Sequence, residues 1–270
     1  MDVDFPLVLS WAVIISGALW LGDVVFFKPR RRRAAEAFRA SSSETVDQDA
    51  LEGVLKEPVI AEYARSFFPV LLLVLLLRSF LIEPYQIPSE SMVPTLKVGD
   101  FILVNKFAYG IRLPVLGTKI FAVGEPQRGD IMVFIPPHEP RYFIKRVVGL
   151  PGDHIRYQNK VLTINGERVE QGFVEQVSVG ARPQYRIYDE QLGDDGHRIY
   201  RYPTLRERPG EWTVPEGSYF MMGDNRGKSL DSRRWGFVED AKVVGKAFAI
   251  WVHKDPGLNW PTFRRNGLIE

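Results

Sequence analysis

The residues of this chain that could carry out covalent chemistry are hydroxyl and amine side chains, because cysteine is absent. A nucleophile must therefore be an oxygen or a nitrogen. The four histidines lie in separate segments without metal-ligand spacing, and we interpret each as a surface or loop residue: His138, His154, His197 and His253. We expect no metal site and a catalytic base other than imidazole. A lysine can serve as that base when a desolvated pocket lowers its pKa.

Two serines that lie two residues apart are candidate nucleophiles. Ser89 and Ser91 occupy the segment 87–96, which also contains Pro88 and Pro94. Proline keeps the residue before it extended, and side chains alternate along an extended chain, so both hydroxyls are predicted to face one site. The alternative interpretation is a Ser/Pro linker that leaves a membrane.

One lysine lies in an apolar strand pattern. Residues 142–150 alternate so that Lys145 shares a face with Phe143 and Val147, and a Pro-Gly-Asp turn follows. An apolar setting disfavours the charged ammonium and so favours a neutral amine. The alternative is an edge-strand lysine that prevents aggregation.

A third polar segment follows another apolar strand pattern. Residues 223–236 are rich in Asp, Asn, Ser and Arg and come directly after an apolar run at 219–222. This pattern is typical of a turn-rich hairpin loop. Its ion pairs and hydroxyls could equally support a site.

Length and charge set limits on the function. The 270 residues correspond to two domains of roughly 150 residues each. The 35 Lys and Arg residues balance 33 Asp and Glu for a net charge of +2, which does not indicate nucleic-acid binding. The sequence contains no GxSxG, HExxH, Walker or GxGxxG pattern.

The N-terminal region is typical of a membrane anchor. Residues 1–27 are predicted to form a first transmembrane helix, because the run from residue 5 to residue 22 is uncharged and long enough to cross a bilayer. The acidic residues Asp2 and Asp4 disfavour a cleaved signal peptide. The basic cluster at 28–33 should stay in the cytoplasm under the positive-inside rule, which places the N-terminus outside.

The rest of the chain is predicted to form a loop, a second span and a β domain. Residues 28–65 are expected to be a solvated cytoplasmic loop with some helix, and residues 66–82 a second transmembrane helix, with a buried core helix as the alternative. Short apolar runs broken by Gly and Pro predict a mainly β, mostly antiparallel catalytic domain over residues 83–270. Within it, residues 154–214 are expected to form an inserted, smaller β lobe.

Taken in order, the three segments closely resemble those of bacterial type I signal peptidases, the membrane-anchored serine proteases that remove signal peptides from exported proteins. The resemblance extends from about residue 80 to about residue 251. It is densest at 88–106, 128–153 and 219–245, whereas the N-terminal spans agree in layout more than in sequence.

The resemblance implies a role for each matching residue. Ser91 would be the nucleophile and Lys145 the general base, while Ser89 and the backbone N–H of Ser91 would form the oxyanion hole. Ser229 would hydrogen-bond to the lysine and orient it. The residues that match those around the site are Asp231, Arg233, Gly223 and Asp224, with Arg146 as the partner of Asp224.

The resemblance also implies a substrate and a location. Shallow pockets for small side chains before the scissile bond would be lined by Tyr85, Ile87, Met92, Leu96, Ile102, Val133, Phe143 and Ile144. The implied substrates are signal peptides of exported preproteins with an A-x-A-like site. The implied surroundings are the lipid bilayer of the bacterial cytoplasmic membrane and nearby export machinery, with the catalytic domain on the periplasmic or outer side. No cofactor is implied. The chain departs from the family at Glu90, where glycine is common.

Two other functions are compatible with parts of the sequence. A cytosolic Ser-Lys autoprotease joined to a DNA-binding module shares the dyad but not the two hydrophobic spans. A membrane-tethered β domain that binds peptides or cell-wall components without catalysis would make Ser91 and Lys145 incidental.

Overall fold

The computed structural model describes residues 5–41, 48–112, 119–180, 182–193 and 195–269. Contacts divide the chain into two units, Met1–Ser79 and Phe80–Glu270. The first unit is helical and the second is built mainly from antiparallel strands. This arrangement confirms the predicted fold class.

Helices make up the N-terminal unit. In chain order they are α1 (Phe5–Gly22), a π-helical turn (Asp23–Phe27), α2 (Lys28–Ser41), α3 (Gln48–Leu55) and α4 (Val59–Phe80). The helices at Leu7–Ala40 and Val59–Leu77 are long and apolar enough to cross a membrane. Most of their large apolar side chains are exposed, as expected of lipid-facing helices and unlike a buried core helix.

The helices extend beyond the spans predicted from the sequence. Both α2 and α3 lie in the segment 28–65, which was predicted as a loop with some helix, and α4 begins at Val59 rather than at residue 66. The N–H groups of Ala61 and Glu62 bond to the Pro58 carbonyl at 2.9 and 3.1 Å, which starts α4 within the polar stretch.

The second unit contains seventeen strands and a short helix among its described residues. In chain order they are β1 (Ile82–Gln86), β2 (Asp100–Asn105), β3 (Ile111–Arg112), β4 (Lys119–Phe121), β5 (Ile131–Phe134), β6 (Phe143–Gly149), β7 (His154–Gln158), β8 (Val161–Ile164), β9 (Glu167–Arg168), β10 (Gln171–Val179), β11 (Arg182–Leu192), β12 (Asp195–Arg201), β13 (Gly210–Thr213), β14 (Ser218–Met222), α5 (Ser232–Trp235), β15 (Val238–Glu239), β16 (Val243–His253) and β17 (Gly267–Leu268). The largest sheet has the order β1-β2-β16-β5-β6-β14-β15, and β17 pairs with β16.

The lobe is inserted between β6 and β14 of this sheet. Strands β7 to β13 form a four-stranded sheet, β13-β7-β8-β9, and a three-stranded sheet, β10-β11-β12. An apolar cluster that contains Val148 of β6, Ile155 of β7, Leu192 of β11 and Phe220 of β14 joins the lobe to the large sheet. The predicted inserted β lobe is therefore confirmed.

The lobe also contacts the polar segment that follows β14. The N–H of Tyr200 in β12 donates to the carbonyl of Asp224 at 2.9 Å. Tyr200 and Asn225 form a parallel bridge at the same point. The third polar segment is thus held between the large sheet and the lobe.

Candidate active site

The two candidate serines lie on a short turn after β1. Residues Glu90–Met92 form a turn of 3-10 helix, and Ser89 before it is extended. The predicted extended conformation is therefore wrong for Ser91, because the N–H of Val93 bonds back to the Glu90 carbonyl at 3.2 Å and closes the turn. The two serine Oγ atoms nevertheless lie 3.4 Å apart. Ser91 is buried, whereas Ser89 is exposed.

Lys145 reaches this turn from β6. Its Nζ lies 2.6 Å from the Oγ of Ser91 and 2.7 Å from the carbonyl oxygen of Ile144. Only 3% of Lys145 is exposed. The Nζ also lies 5.4 Å from the centroid of the Phe143 ring, which supplies the apolar face expected from strand alternation.

Burial shifts the Lys145 amine toward its neutral form. Burial lowers the pKa of Lys145 from 10.5 to about 8, while the negative charges of Asp231 and Asp224 oppose this shift. Burial by itself would raise the pKa of Asp224, but Arg146 outweighs it and holds that pKa below its usual range. Arg233 has the same effect on the pKa of Asp231. Both acids are therefore ionised, and each is paired with its own arginine.

The pair between Asp224 and Arg146 lies directly behind the nucleophile turn. The Nε and Nη2 atoms of Arg146 donate to the two carboxylate oxygens at 2.9 and 2.8 Å, which confirms the predicted partnership. Asp224 is 0% exposed. The Thr95 hydroxyl donates to the same carboxylate at 2.5 Å. Thr95 carries no signal of this contact in the sequence, and it ties the loop after Ser91 to the buried pair.

Gly223 allows the polar loop to pack closely against the nucleophile turn. A Cβ atom at this position would lie 2.4 Å from the carbonyl oxygen of Ser91 and 2.3 Å from the Oγ of Ser229. The N–H of Gly223 donates to Asp231 at 3.1 Å. Asp231 also accepts two bonds from the Arg233 guanidinium, at 2.9 and 2.8 Å.

Ser229 lies beside this turn without bonding to the lysine. Its Oγ is buried and has no well-formed hydrogen bond among the residues that the structure describes, although its interaction with the Asp231 carboxylate helps to lower the pKa of that group. The structure therefore places Ser229 near the candidate pair. Its proposed effect on the orientation of Lys145 stays a prediction.

Asn225 is a contact residue that sequence analysis missed. Its backbone N–H donates to the Ser91 carbonyl at 3.1 Å, and its Nδ2 donates to the Glu90 carbonyl at 2.9 Å. The Glu90 side chain is exposed to solvent. The sequence showed Asn225 only as one polar residue among many in the third segment, without any signal for its partners.

A second buried ion pair connects the polar loop to the lobe. Arg226 and Glu190 are both fully buried and form a bidentate pair, with Nη1 and Oε1 2.7 Å apart. The Nε2 of His197 lies 3.4 Å from Glu190 and 3.8 Å from Asp224. The prediction of a surface or loop position for His197 is wrong, because β12 packs against this loop and buries the ring.

Most of the predicted pocket residues are buried. One apolar cluster contains Ile87, Met92, Leu96, Ile102, Val133 and Ile144, with Tyr85 packed against it. Phe143 packs against a different cluster, beside Lys145. Met92, Leu96 and Ile102 are 0% exposed, so they can shape a surface pocket only from below. Tyr85 and Phe143 are half-buried and retain surface that a bound peptide could contact.

The chain is similar in sequence to known signal peptidases. The sequence pattern of the family described as signal peptidase, peptidase S26, matches residues 60–252. Signal peptidase I of Pseudomonas aeruginosa is 52% identical over 288 aligned residues, and that of Pseudomonas fluorescens is 51% identical over 292, with 100% of both chains covered in each case. A solved signal peptidase I from Enterococcus faecalis is 32% identical, covering 46% of this chain and 98% of its own, with a TM-score of 0.30.

The chain belongs to the signal peptidase family, peptidase S26. It is a membrane-bound peptidase, because it belongs to a peptidase family and has two helices that are long and apolar enough to span a membrane. Family membership therefore argues against both alternatives, a cytosolic autoprotease and a noncatalytic binding domain.

Replacing Asp224 with Asn should destabilise the second unit, because it leaves the Arg146 guanidinium buried without its counter-charge. Loss of one partner of a buried pair typically costs about 3–5 kcal/mol of unfolding free energy, measurable by urea unfolding followed by tryptophan fluorescence. Asp189→Asn is the matched control, since it breaks an exposed pair with Arg198 and should cost less than about 1 kcal/mol. Equal losses in the two variants would contradict the importance assigned to the buried pair.

Proposed function

We propose that this signal peptidase uses Ser91 as its nucleophile and uncharged Lys145 as its general base. The observation that carries the proposal is the 2.6 Å distance between Nζ and Oγ in a buried setting. In the neutral state the Ser91 hydroxyl donates to the lone pair of Nζ, while an N–H of Nζ donates to the Ile144 carbonyl. This arrangement directs the lone pair of the amine at the proton that must be removed.

The reaction proceeds in two halves. In the first, Ser91 Oγ attacks the scissile carbonyl carbon as its proton passes to Lys145, and the resulting ammonium then protonates the departing amine of the mature protein. The signal peptide is left as an ester on Ser91. In the second half, Lys145 takes a proton from water as the water attacks the ester. The signal peptide leaves as a carboxylic acid, and Ser91 recovers its proton.

The oxyanion formed in each half is stabilised by two donors. These are the Ser89 hydroxyl, which lies 3.4 Å from the attacking oxygen, and the backbone N–H of Ser91. Ser229 orients the amine, and the pair of Asp231 with Arg233 supports the loop that carries Ser229. Ser229→Ala should therefore reduce turnover less than loss of Lys145, which can be checked by comparing their kcat values.

The preferred cleavage site has small residues at the first and third positions before the cut. An apolar floor supplies no charge that could pair with an acidic or basic side chain, and Tyr85 and Phe143 are the predicted pocket residues with appreciable exposed surface. A preprotein series with Ala, Phe, Lys or Asp at these positions tests the proposal. Mapping the new N-termini by mass spectrometry should show efficient cleavage with Ala only, and efficient cleavage after Lys, Asp or Phe would contradict it.

The proposed topology places residues 1–27 and 66–82 in the bacterial cytoplasmic membrane and residues 28–65 in the cytoplasm. The catalytic domain, residues 83–270, then lies on the outer side, next to the bilayer and the export machinery. Protease added to intact spheroplasts should digest this domain and spare the loop, as followed by epitope tags in each. Digestion of the loop alone would show that the chain has the opposite orientation in the membrane.

The amine of Lys145 should control the acid limb of the rate profile. Only the neutral amine is a base, so with a pKa of about 8 the value of kcat/KM should rise about tenfold per pH unit below pH 8 and level off above it. Lys145→Met should lower the rate by about two to four orders of magnitude while the protein stays folded. Lys97→Met removes an exposed lysine and should leave the profile unchanged. Near-normal turnover in Lys145→Met would contradict the role of Lys145 as the general base.

The two serines should give different mutational signatures. Ser91→Ala should abolish both turnover and acylation by a mechanism-based inhibitor, because the attacking oxygen is gone. Ser89→Ala should lose about 100-fold to 1000-fold in turnover through the missing oxyanion donor, yet still be acylated. Ser89→Thr should recover much of the rate. Mass spectrometry locates the adduct. An adduct on Ser89 would show that Ser89 is the nucleophile and Ser91 its helper.

A further inference from the structure

Asn225 contacts the nucleophile turn at both peptide groups that flank the Cα of Ser91. Its Nδ2 donates to the Glu90 carbonyl at 2.9 Å, and its backbone N–H donates to the Ser91 carbonyl at 3.1 Å. Asn225 is separated from Glu90 by 135 positions in the sequence. One residue of a distant loop therefore sets the position of the turn that carries the proposed nucleophile.

The bond to Glu90 also fixes the direction of a backbone donor. A trans peptide group is planar, and its C=O and N–H point to opposite sides. The carbonyl of Glu90 and the N–H of Ser91 belong to the same peptide group. Holding that carbonyl toward Asn225 consequently directs the Ser91 N–H away from Asn225. This N–H is the backbone donor of the proposed oxyanion hole.

The side-chain amide of Asn225 acts as a hydrogen-bond donor through Nδ2. Asn225 is 0% exposed, and its Oδ1 is buried without a hydrogen-bond partner among the residues that the structure describes. The Glu90 carbonyl also accepts the N–H of Val93 at 3.2 Å. Because Val93 belongs to the same turn, the bond from Asn225 is the one hydrogen bond, among the described residues, that ties the Glu90 carbonyl to a segment outside this turn.

We infer that Asn225 is a positioning residue for oxyanion stabilisation, acting through the peptide group between Glu90 and Ser91. The inference rests on the proposed Ser91 mechanism. Asn225 touches neither the substrate nor the reacting atoms. Its effect should therefore fall on the chemical step and not on substrate binding.

Two substitutions separate this role from simple packing. Asn225→Ala removes the donor, whereas Asn225→Asp keeps the shape of the side chain but places an oxygen against the Glu90 carbonyl. In the full-length, detergent-solubilised protein, kcat should fall about 10-fold to 100-fold in Asn225→Ala, part of the loss expected for removing an oxyanion donor outright. It should fall further in Asn225→Asp. KM should stay within about twofold, and the acid limb of Asn225→Ala should be unshifted, because the contacts of Lys145 are intact.

A signal-peptide analogue ending in a boronic acid provides a second readout. Its tetrahedral adduct with Ser91 places an oxygen in the oxyanion hole, so Asn225→Ala should weaken its binding by a factor similar to the loss in kcat. Asn259 is the matched control, because its Nδ2 also donates to a backbone carbonyl, that of Pro256 at 2.8 Å, but in an exposed loop. Asn259→Ala and Asn259→Asp should keep kcat and boronate affinity within about twofold of the unmodified protein.

The outcomes distinguish failure of this inference from failure of the mechanism. A kcat within twofold of normal in Asn225→Ala, or better turnover in Asn225→Asp than in Asn225→Ala, would overturn the positioning role while Ser91→Ala stays inactive. Retained turnover in Ser91→Ala would overturn the proposed mechanism, and the inference about Asn225 with it.

Discussion

In the proposed mechanism a lysine amine must lose its proton in a site that also contains ionised carboxylates, and the surrounding interactions bear on this step. Burial of Lys145 disfavours the ammonium, but Asp224 and Asp231 attract a proton back to it. Each acid is bonded to its own arginine, so the field that reaches Lys145 is that of an ion pair and not of a free charge. By offsetting the charges of Asp224 and Asp231, the two arginines favour the neutral form of the Lys145 amine.

The same ion pairs connect the elements that build the site. Arg146 is the neighbour of Lys145 on β6, and through Asp224 it holds both Thr95 and the loop after β14. The next residues of that loop extend the connection, since Asn225 reaches the nucleophile turn and Arg226 reaches Glu190 in the lobe. Displacement of the lobe would thus be transmitted to the turn at Ser91 by buried polar contacts.

Local patterns were sufficient to predict the fold class but not the details of the site. Hydropathy and strand alternation are properties of neighbouring residues, so the apolar helices and the β domain could be predicted from the sequence alone. From their own segments, Ser91 and Lys145 each had an ordinary structural explanation, and only the ordered resemblance of three segments favoured a catalytic pair. The contacts of Thr95 and Asn225 link distant segments and left no local signal. The prediction for His197 was wrong for the same reason. Its burial results from packing between the lobe and the loop, which involves distant segments.

The long sequence separations at the nucleophile turn have a consequence for how the protein is made. Thr95 and Asp224 are 129 positions apart, and Glu90 and Asn225 are 135 apart. A ribosome makes the apolar helices long before the loop after β14, so the bonds to that loop cannot form until most of the chain has been synthesised. Contacts between residues so far apart in the sequence also form slowly, because a long loop must close before they form. When the two candidate membrane helices have been synthesised, the turn of the proposed nucleophile consequently still lacks its contacts with that loop.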